Sequence, residues 1–559
     1  MEKIWLKSYP KGMPETVNVS PDVSVIDVFK QSVKRYAKSP AVSNFGVELT
    51  YAELDRRSDH FAAFCQDELK LQKGDRLAIM MPNLIQYLVA LYGAFKAGLV
   101  VVNVNPMYTA HEVVHQLNDA GATALLVLEN FAHTIEEAKP HLKTVKHFIV
   151  TAVGDEFPCL KRSVFNFVAR HVKRMVPKYS LPGSVDYRHA MKRHAVKSFH
   201  CVELTGDDLA FLQYTGGTTG VAKGAMLTHS NMVNNLTQAA TWSGHFLKPG
   251  KEILITALPL YHIFSLLANA LTFMRFGALN VLITNPRDIK GFVKEMRRYK
   301  FTAITAVNTL FNALVHNEEF KQLDFSQLHF AMGGGMAVQH AVADAWQKVT
   351  GVHILEAYGL TETSPAALIN PVYCRAYNGS IGLPIPSTEI KVIDEEGREL
   401  PPGEPGELCI RGPQVMKGYW NMPEETKKVL SEDGWLRTGD VAKIDEKGFA
   451  YIVDRKKDMV VVSGFNVYPN EVEAVIAEHP KVQEVAVIGV PHPVTSEAVK
   501  AFVVLKPHQK LTSNELISFC RHHLTPYKVP KIYEFRTELP KSNVGKILRR
   551  ALREETTSA

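Results

Sequence analysis

The chain has 559 residues, too many for one hydrophobic core, and that length predicts two to four domains. A hydrophobic share of 46% and a charged share of 22% are ordinary for a globular protein and exclude a disordered or fibrous chain, while a net charge of +7 allows anionic ligands or a membrane surface without demanding either. The six cysteines, Cys65, Cys159, Cys201, Cys374, Cys409 and Cys520, have neither CxxC nor metal-finger spacing, which argues against a disulfide framework or structural zinc and fits the reduced thiols of a cytosol.

The opening MEKIWLKSYPKGMPE has no apolar stretch of signal-peptide length. Strand-like runs at Leu77–Met81, Val100–Val104, Ala124–Leu128 and Phe148–Thr151 then alternate with helical patterns at Ile85–Ala97 and His111–Asp119. That alternation predicts α/β layers with largely parallel sheets. Asn118-Asp-Ala-Gly121 is a helix stop ahead of a strand. The segment Ala78–Phe95 reads as strand, Pro82-Asn83 break and helix. Ile253–Met274 is free of formal charge over a membrane-spanning length, but Pro259, His262 and Asn269 interrupt it. A short strand over Ile253–Leu258, a loop and a buried helix are expected there.

Between these, Lys161–Lys197 holds ten Lys or Arg against one acid, Asp186, and Val164, Val168, Val172 and Met175 recur at helical spacing beside Phe165 and Phe167. A basic amphipathic helix of this kind can lie on an anionic membrane surface; the plainer alternatives are a solvated surface helix or the flank of an oligomer contact. Farther on, Glu389–Met416 alternates short strands with Gly and Pro turns, which suggests a small antiparallel or barrel-like subdomain. The charged run Asp454–Asp458 lacks apolar periodicity, as a solvated linker should. Beyond Lys457 a compact α+β unit is expected: helices at Pro469–His479 and Ser513–Leu524, strands at Glu484–Val490 and Ala498–Leu505. The expected division is therefore 1–456 and 457–559. The chain has no internal repeat, and no interleaved aromatic and basic platform points to nucleic acid.

The most informative segment is Tyr214-Thr215-Gly216-Gly217-Thr218-Thr219-Gly220, continuing through Lys223. Glycines let backbone N–H groups approach an anion closely, Thr hydroxyls add donors, and Lys223 adds a point charge. The arrangement reads as a polyphosphate cradle, although small-residue turns of similar composition are common. It is not a Walker A loop, because Ala222 precedes Lys223 and Gly224 follows it.

YTGGTTGVAKGAMLTH resembles the phosphate-loop motif of the acyl-adenylate-forming enzymes. Further motifs of that superfamily follow in order: LPLYHIF (Leu258–Phe264), EAYGLTET (Glu356–Thr363), GWLRTGD (Gly434–Asp440), IVDRKKDMVVVSGFNVYPNEVE (Ile452–Glu473) and PKSNVGKILRR (Pro540–Arg550). From WLKSYP to GKILRR the chain is similar to the bacterial long-chain fatty-acid–CoA ligases. It departs from their signature stretch at Lys443, where an aromatic is usual, and at Leu266, near where some relatives carry a tryptophan gate.

The resemblance implies an α/β fold. Its large N-terminal domain is built of layered α/β subdomains and a β-barrel-like subdomain, and a small mobile α+β domain follows. It also implies ATP and CoA as co-substrates, Mg²⁺, a long-chain fatty acid, a homodimer and peripheral contact with the cytoplasmic face of the inner membrane. By the same resemblance the loop from Tyr214 to Gly220, with Lys223, grips the phosphates. Thr361 meets the α-phosphate and Glu362 holds the metal. Gly333, Gly334, Gly335 and Tyr358 form the adenine pocket, and Asp440 and Arg455 hold the ribose. His262 positions the acyl carboxylate, Lys546 serves adenylation, Lys457 is the pivot between two orientations, and Gly464 lines the thiol's path. Tunnel depth would be set by residues within Phe264–Phe276 and Phe301–Leu310. An acyl-AMP ligase loading a carrier protein, a ligase for aromatic acids, and a non-catalytic nucleotide or fatty-acid binder stay as alternatives at this point.

Overall fold

The alternating apolar runs and helices of the first half build two mostly parallel sheets. The computed structural model describes residues 2–194, 199–215, 222–244, 246–455, 457–462, 465–492, 495–542 and 545–557. One sheet has seven strands, ordered Val185–Asp186, His147–Thr151, Ala124–Leu128, Arg76–Met80, Val100–Asn103, Leu209–Thr215 and Lys223–Thr228. All neighbours run parallel except the last pair, an antiparallel hairpin. The second sheet has nine strands. Its parallel centre runs from Leu355–Gly359 through Phe330–Gly334, Ala303–Ala306, Ile253–Thr256 and Leu279–Leu282 to Pro40–Asn44.

Parallel sheets must be covered on both faces. The helix Ile85–Lys96 supplies cover in the core the sheets share, and it is buried along its whole length. That burial explains its apolar run from Ile85 to Phe95, while Lys96 at its end pairs with Asp55 and Asp59, and no described helix is long and apolar enough to cross a membrane. The helix Ala110–Ala120 starts at Thr109, whose side chain accepts the Glu112 N–H, and stops at Gly121, which takes φ +60°. The second charge-free segment resolves into the strand Ile253–Thr256 and a buried helix that is wound as a π-helix over Leu266–Phe273.

Four strands, Glu389–Ile393, Gly406–Arg411, Leu436–Ile444 and Ala450–Arg455, pair antiparallel in chain order. Of the two forms expected here the antiparallel one is present. Its first and last strands do not pair with each other among the described residues, so the sheet stays open. It has no need to close: its apolar face, Ile390, Val392, Leu408 and Ile410, is buried in one core with Leu368 and Leu383 of the nine-stranded sheet. The last unit is a five-stranded sheet around Val482–His492 and Ser496–Leu505, with helices Pro469–Ala477, Ser513–His523 and Arg549–Thr557. The basic segment does form a helix, Cys159–Phe167, extended by a π-helical turn Val168–Val172. Phe165 tucks between Phe45 and Phe157, whereas Leu160, Val164, Phe167, Val172 and Met175 stand exposed.

Candidate active site

Open α/β sheets bind ligands outside the carboxyl ends of their strands. Here the carboxyl ends of both parallel sheets open into one cavity of about 2640 Å³. That is larger than the roughly 300–1,000 Å³ of a pocket for one small ligand, so two reactants can lie in it together. Leu209–Thr215 delivers Thr215, the loop after Ile253–Thr256 delivers His262, Phe330–Gly334 delivers Gly334, and Leu355–Gly359 delivers Tyr358.

At one end, Thr215 and Lys223 face each other across the hairpin. Gly216, Gly217, Thr218, Thr219 and Gly220, between them, lie outside the described residues. Lys223 forms an ion pair with Glu425 and sits 5.2 Å from the centre of the Tyr419 ring. Hydrogen bonds first from Lys223 and then from Lys428 hold the Glu425 carboxyl down at about 2. Tyr419 in turn donates its hydroxyl to Glu362 at 2.7 Å, on the short turn Thr361–Thr363. Tyr419 reaches this place because Met226 donates to the Gly418 carbonyl and Trp420 donates to the Gly224 carbonyl, pinning the segment beside the hairpin. Glu425 and Tyr419 belong to the stretch Lys417–Lys428, which carries no spacing that separates it from an ordinary turn and helix start. The Tyr214 hydroxyl points elsewhere, donating to Asp119 at 2.5 Å, so this residue braces the hairpin against the helix Ala110–Ala120.

At the next station Tyr358 donates its hydroxyl to Asp440 at 2.6 Å, and Asp440 pairs through its backbone with Arg455. Gly334 and Gly335 line the cavity. A Cβ on Gly334 would stand 3.0 Å from the Ala357 carbonyl, and Gly335 takes φ +77°. Gly333 does not join them: strand alternation turns it to the other face, where a Cβ would meet Val338 at 2.6 Å. Glu356, on the same strand face as Tyr358, also lines the cavity. Burial pushes its carboxyl up to about 8, and its Oε1 has no hydrogen-bond partner among the described residues.

Lys546 enters the cavity from the C-terminal unit, its Cε 3.5 Å from where a Gly335 Cβ would be. Thr309 anchors this loop by donating to the Gly545 carbonyl at 3.1 Å. His262 is half-buried on the cavity wall, and loss of water around its ring, then the positive charge of Lys546, lowers it to about 3. Its Nδ1 accepts the Phe264 N–H, which assigns the remaining proton of the neutral ring to Nε2. A neutral imidazole suits holding a carboxylate oxygen better than taking a proton at neutral pH. Lys457 lines the cavity as well, while Gly464 lies outside the described residues. Close to Lys457, Arg549 pairs with Asp454 and Asp458, each at 3.4 Å, and with Glu473 at 2.7 Å.

The apolar part of the cavity corrects one expectation. Residues from Phe264 to Phe273 line it, but from Phe301–Leu310 only Asn308 and Thr309 do. Phe301, Ile304 and Ala306 are buried in the core on the other side of the nine-stranded sheet. Leu266 lies in the protein core and not on the cavity wall, and Lys443 rests over the Tyr451 ring at 5.9 Å.

The sequence pattern of the AMP-binding enzyme family matches residues 29–420, and that of the AMP-binding enzyme C-terminal domain matches 471–546. The chain belongs to this family. Within it, the chain is 56% identical over 555 residues to a long-chain-fatty-acid–CoA ligase of Escherichia coli, covering 99% of this chain and 98% of that one. It is 39% identical over 558 residues to the enzyme of the same name from Bacillus subtilis, covering 100% and 98%. Among solved family structures, ATP-bound MatB from Rhodopseudomonas palustris aligns with a TM-score of 0.78 at 28% identity, covering 95% of this chain and 99% of that one. The anthranilate CoA ligase AuaEII in complex with anthranoyl-AMP shares the fold, with a TM-score of 0.86 at 24% identity over 97% and 99% of the two chains.

Proposed function

We propose that this protein is an AMP-forming long-chain fatty-acid–CoA ligase. The observation that carries the reading is that Lys546 and the neutral His262 meet where a polar, glycine-lined nucleotide end joins an apolar arm. A carboxylate held there attacks the α-phosphorus of ATP, forming the acyl–phosphate bond of an acyl-adenylate and releasing pyrophosphate. A CoA thiol, losing its proton, then displaces AMP and leaves the thioester.

In the first step Lys546 neutralises charge shared between carboxylate and α-phosphate, His262 Nε2–H holds a carboxylate oxygen, and Lys223 with Thr215 grips the outer phosphates. Thr361 meets the α-phosphate. Tyr358, Gly334 and Gly335 frame the base, and Asp440 and Arg455 hold the ribose. Glu362 fits magnesium, a hard cation that takes carboxylate oxygen and keeps waters and phosphates as its other ligands. When bound, the ion screens phosphate charge. No described cluster of three His, Cys, Asp or Glu offers a resident metal cage, which suits an ion that arrives with the nucleotide. In the second step the unit beyond 457 turns about Lys457, withdrawing Lys546 and bringing Gly464 to the thiol's path.

The substrate partitions into bilayers, and the exposed row Leu160, Val164, Phe167 and Val172 beside Lys161, Arg162, Lys173 and Arg174 suits the anionic cytoplasmic face of a membrane. Flotation with anionic vesicles that is lost on Lys173→Glu/Arg174→Glu would support that placement; no flotation, or flotation the charge reversals leave alone, would end it. The activity is tested by incubation with palmitate and ATP, with and without CoA. Pyrophosphate and AMP are expected, with palmitoyl-CoA only when CoA is present, and ADP as product would refute the reading.

A further inference from the structure

The apolar arm has two rails. Along Phe330–Gly334 the side-chain period of two puts Phe330, Met332 and Gly334 on the cavity face, with Ala331 turned into the opposite core. Gly334 is at the reacting end, and Phe330 lies about 13 Å down the strand from it at roughly 3.3 Å per residue. The helix from Ile263 to Phe273 runs opposite. Phe264 at its head faces Gly334, whose Cβ would lie 3.1 Å from the Phe264 ring, and Phe273 at its foot meets Phe330 with ring centroids 5.7 Å apart. Both rails therefore start at the chemistry and end in a phenylalanine.

A third ring closes the foot. Phe246 stacks on Phe330 at 5.3 Å with an interplanar angle of 23°. Phe273 and Phe330 are buried, and Trp242, Leu247 and Leu254 share their core, so solid protein lies behind the rings. Above them the wall is small: Ala239 and Ser243, one turn apart on His229–Ser243, and Ala268 on the π-helix. The arm is thus open along its side and blocked at its end.

We propose that the cluster Phe246–Phe273–Phe330 is the stop against which the methyl end of the acyl chain rests, and that it sets the longest straight-chain acid this enzyme accepts. The inference rests on the acyl-CoA ligase reading. Its test is pyrophosphate release from octanoate, laurate, palmitate, stearate, arachidate and behenate, with kcat and KM taken separately. Phe330→Leu opens the foot and should raise kcat/KM for behenate relative to palmitate at least about tenfold, the discrimination one methylene brings in a hydrophobic pocket. Ala268→Leu narrows the arm above the stop and should shift preference toward octanoate by a similar factor, mainly through KM for the longer acids. Folding of each variant is checked by its thermal transition, and if Phe330→Leu does not fold, Ala268→Leu decides alone. Folded, active variants with the wild-type ranking of acids would overturn the stop. Wild-type protein that activates none of these acids would instead overturn the ligase reading.

Discussion

Two carboxyl groups on the cavity wall are held in opposite states. At the phosphate end Glu425 is held ionised, down at about 2, by Lys223 and Lys428. On the strand Leu355–Gly359, where Glu356 pairs in register with Gly333 and so shares its face and not that of the arm, burial raises the carboxyl to about 8. The phosphate end is a field of fixed charges drawn from distant parts of the chain; the apolar arm excludes charge. A fatty acid needs both, because its headgroup must meet ATP while its tail must leave water.

The largest effect expected from breaking this contrast is at Lys546. Lys546→Ala removes the cation proposed to meet the carboxylate, and acyl-adenylate formation should fall about 10²- to 10³-fold. Thioester formation from supplied acyl-adenylate and CoA should hold, because Lys546 is absent from that step. Single-turnover rates for the two half-reactions check this, and an equal loss in both would sink the assignment.

Arg549 comes next. Its guanidinium gathers Asp454, Asp458 and Glu473, acids on either side of Lys457, and so ties the unit in the orientation that presents Lys546. Arg549→Gln should lower adenylation about fivefold to tenfold, a modest coupling between sites, while leaving the thioester step unharmed. A simple loss of folded protein would lower both together.

Glu425→Gln should act more weakly and in the other direction. The nucleotide's outer phosphate must take Lys223 from the Glu425 carboxylate, so removing that competitor should lower KM for ATP about twofold to fivefold, in keeping with the small worth of partly exposed ion pairs. An unchanged or higher KM in steady-state kinetics would mean that Glu425 positions Lys223 instead of competing for it.

The same contrast explains what could be read from the chain. The polar part of the cavity wall was legible because Glu362 after Thr361, Asp440 after Gly439, Lys546 after Gly545 and the glycines and threonines around Lys223 are rare combinations, and Lys223, Glu362, Asp440 and Lys546 all line the one cavity. Parallel layers followed from apolar runs such as Ala124–Leu128, reproduced to the residue. The acyl end was legible only as a stretch. Phe330, Met332, Ala239 and Phe246 are ordinary core residues by composition, and only the register of the strand Phe330–Gly334 and the packing of the helix His229–Ser243 decide which of them face the cavity. The sheet also puts Phe301 in the core on its other side, away from the arm. Tyr419 and Glu425 escaped because backbone pairing across nearly two hundred residues of chain, not any local pattern, brings them to Lys223 and Glu362.

The subtlest test is at Glu356. In the unfolded chain its carboxyl titrates near 4.5, and in the folded protein near 8. Between those values the folded state keeps a proton that the unfolded state has lost, so unfolding releases a proton and stability falls as pH rises. The contribution is fully present below about 4.5 and is lost as pH rises through about 8. Glu356→Gln stays neutral throughout and removes this slope, while every other titrating group remains common to both proteins. Urea midpoints of the two proteins across that window should therefore diverge with rising pH, the wild type losing ground to the variant. Parallel pH profiles would show that Glu356 ionises as an exposed carboxyl does.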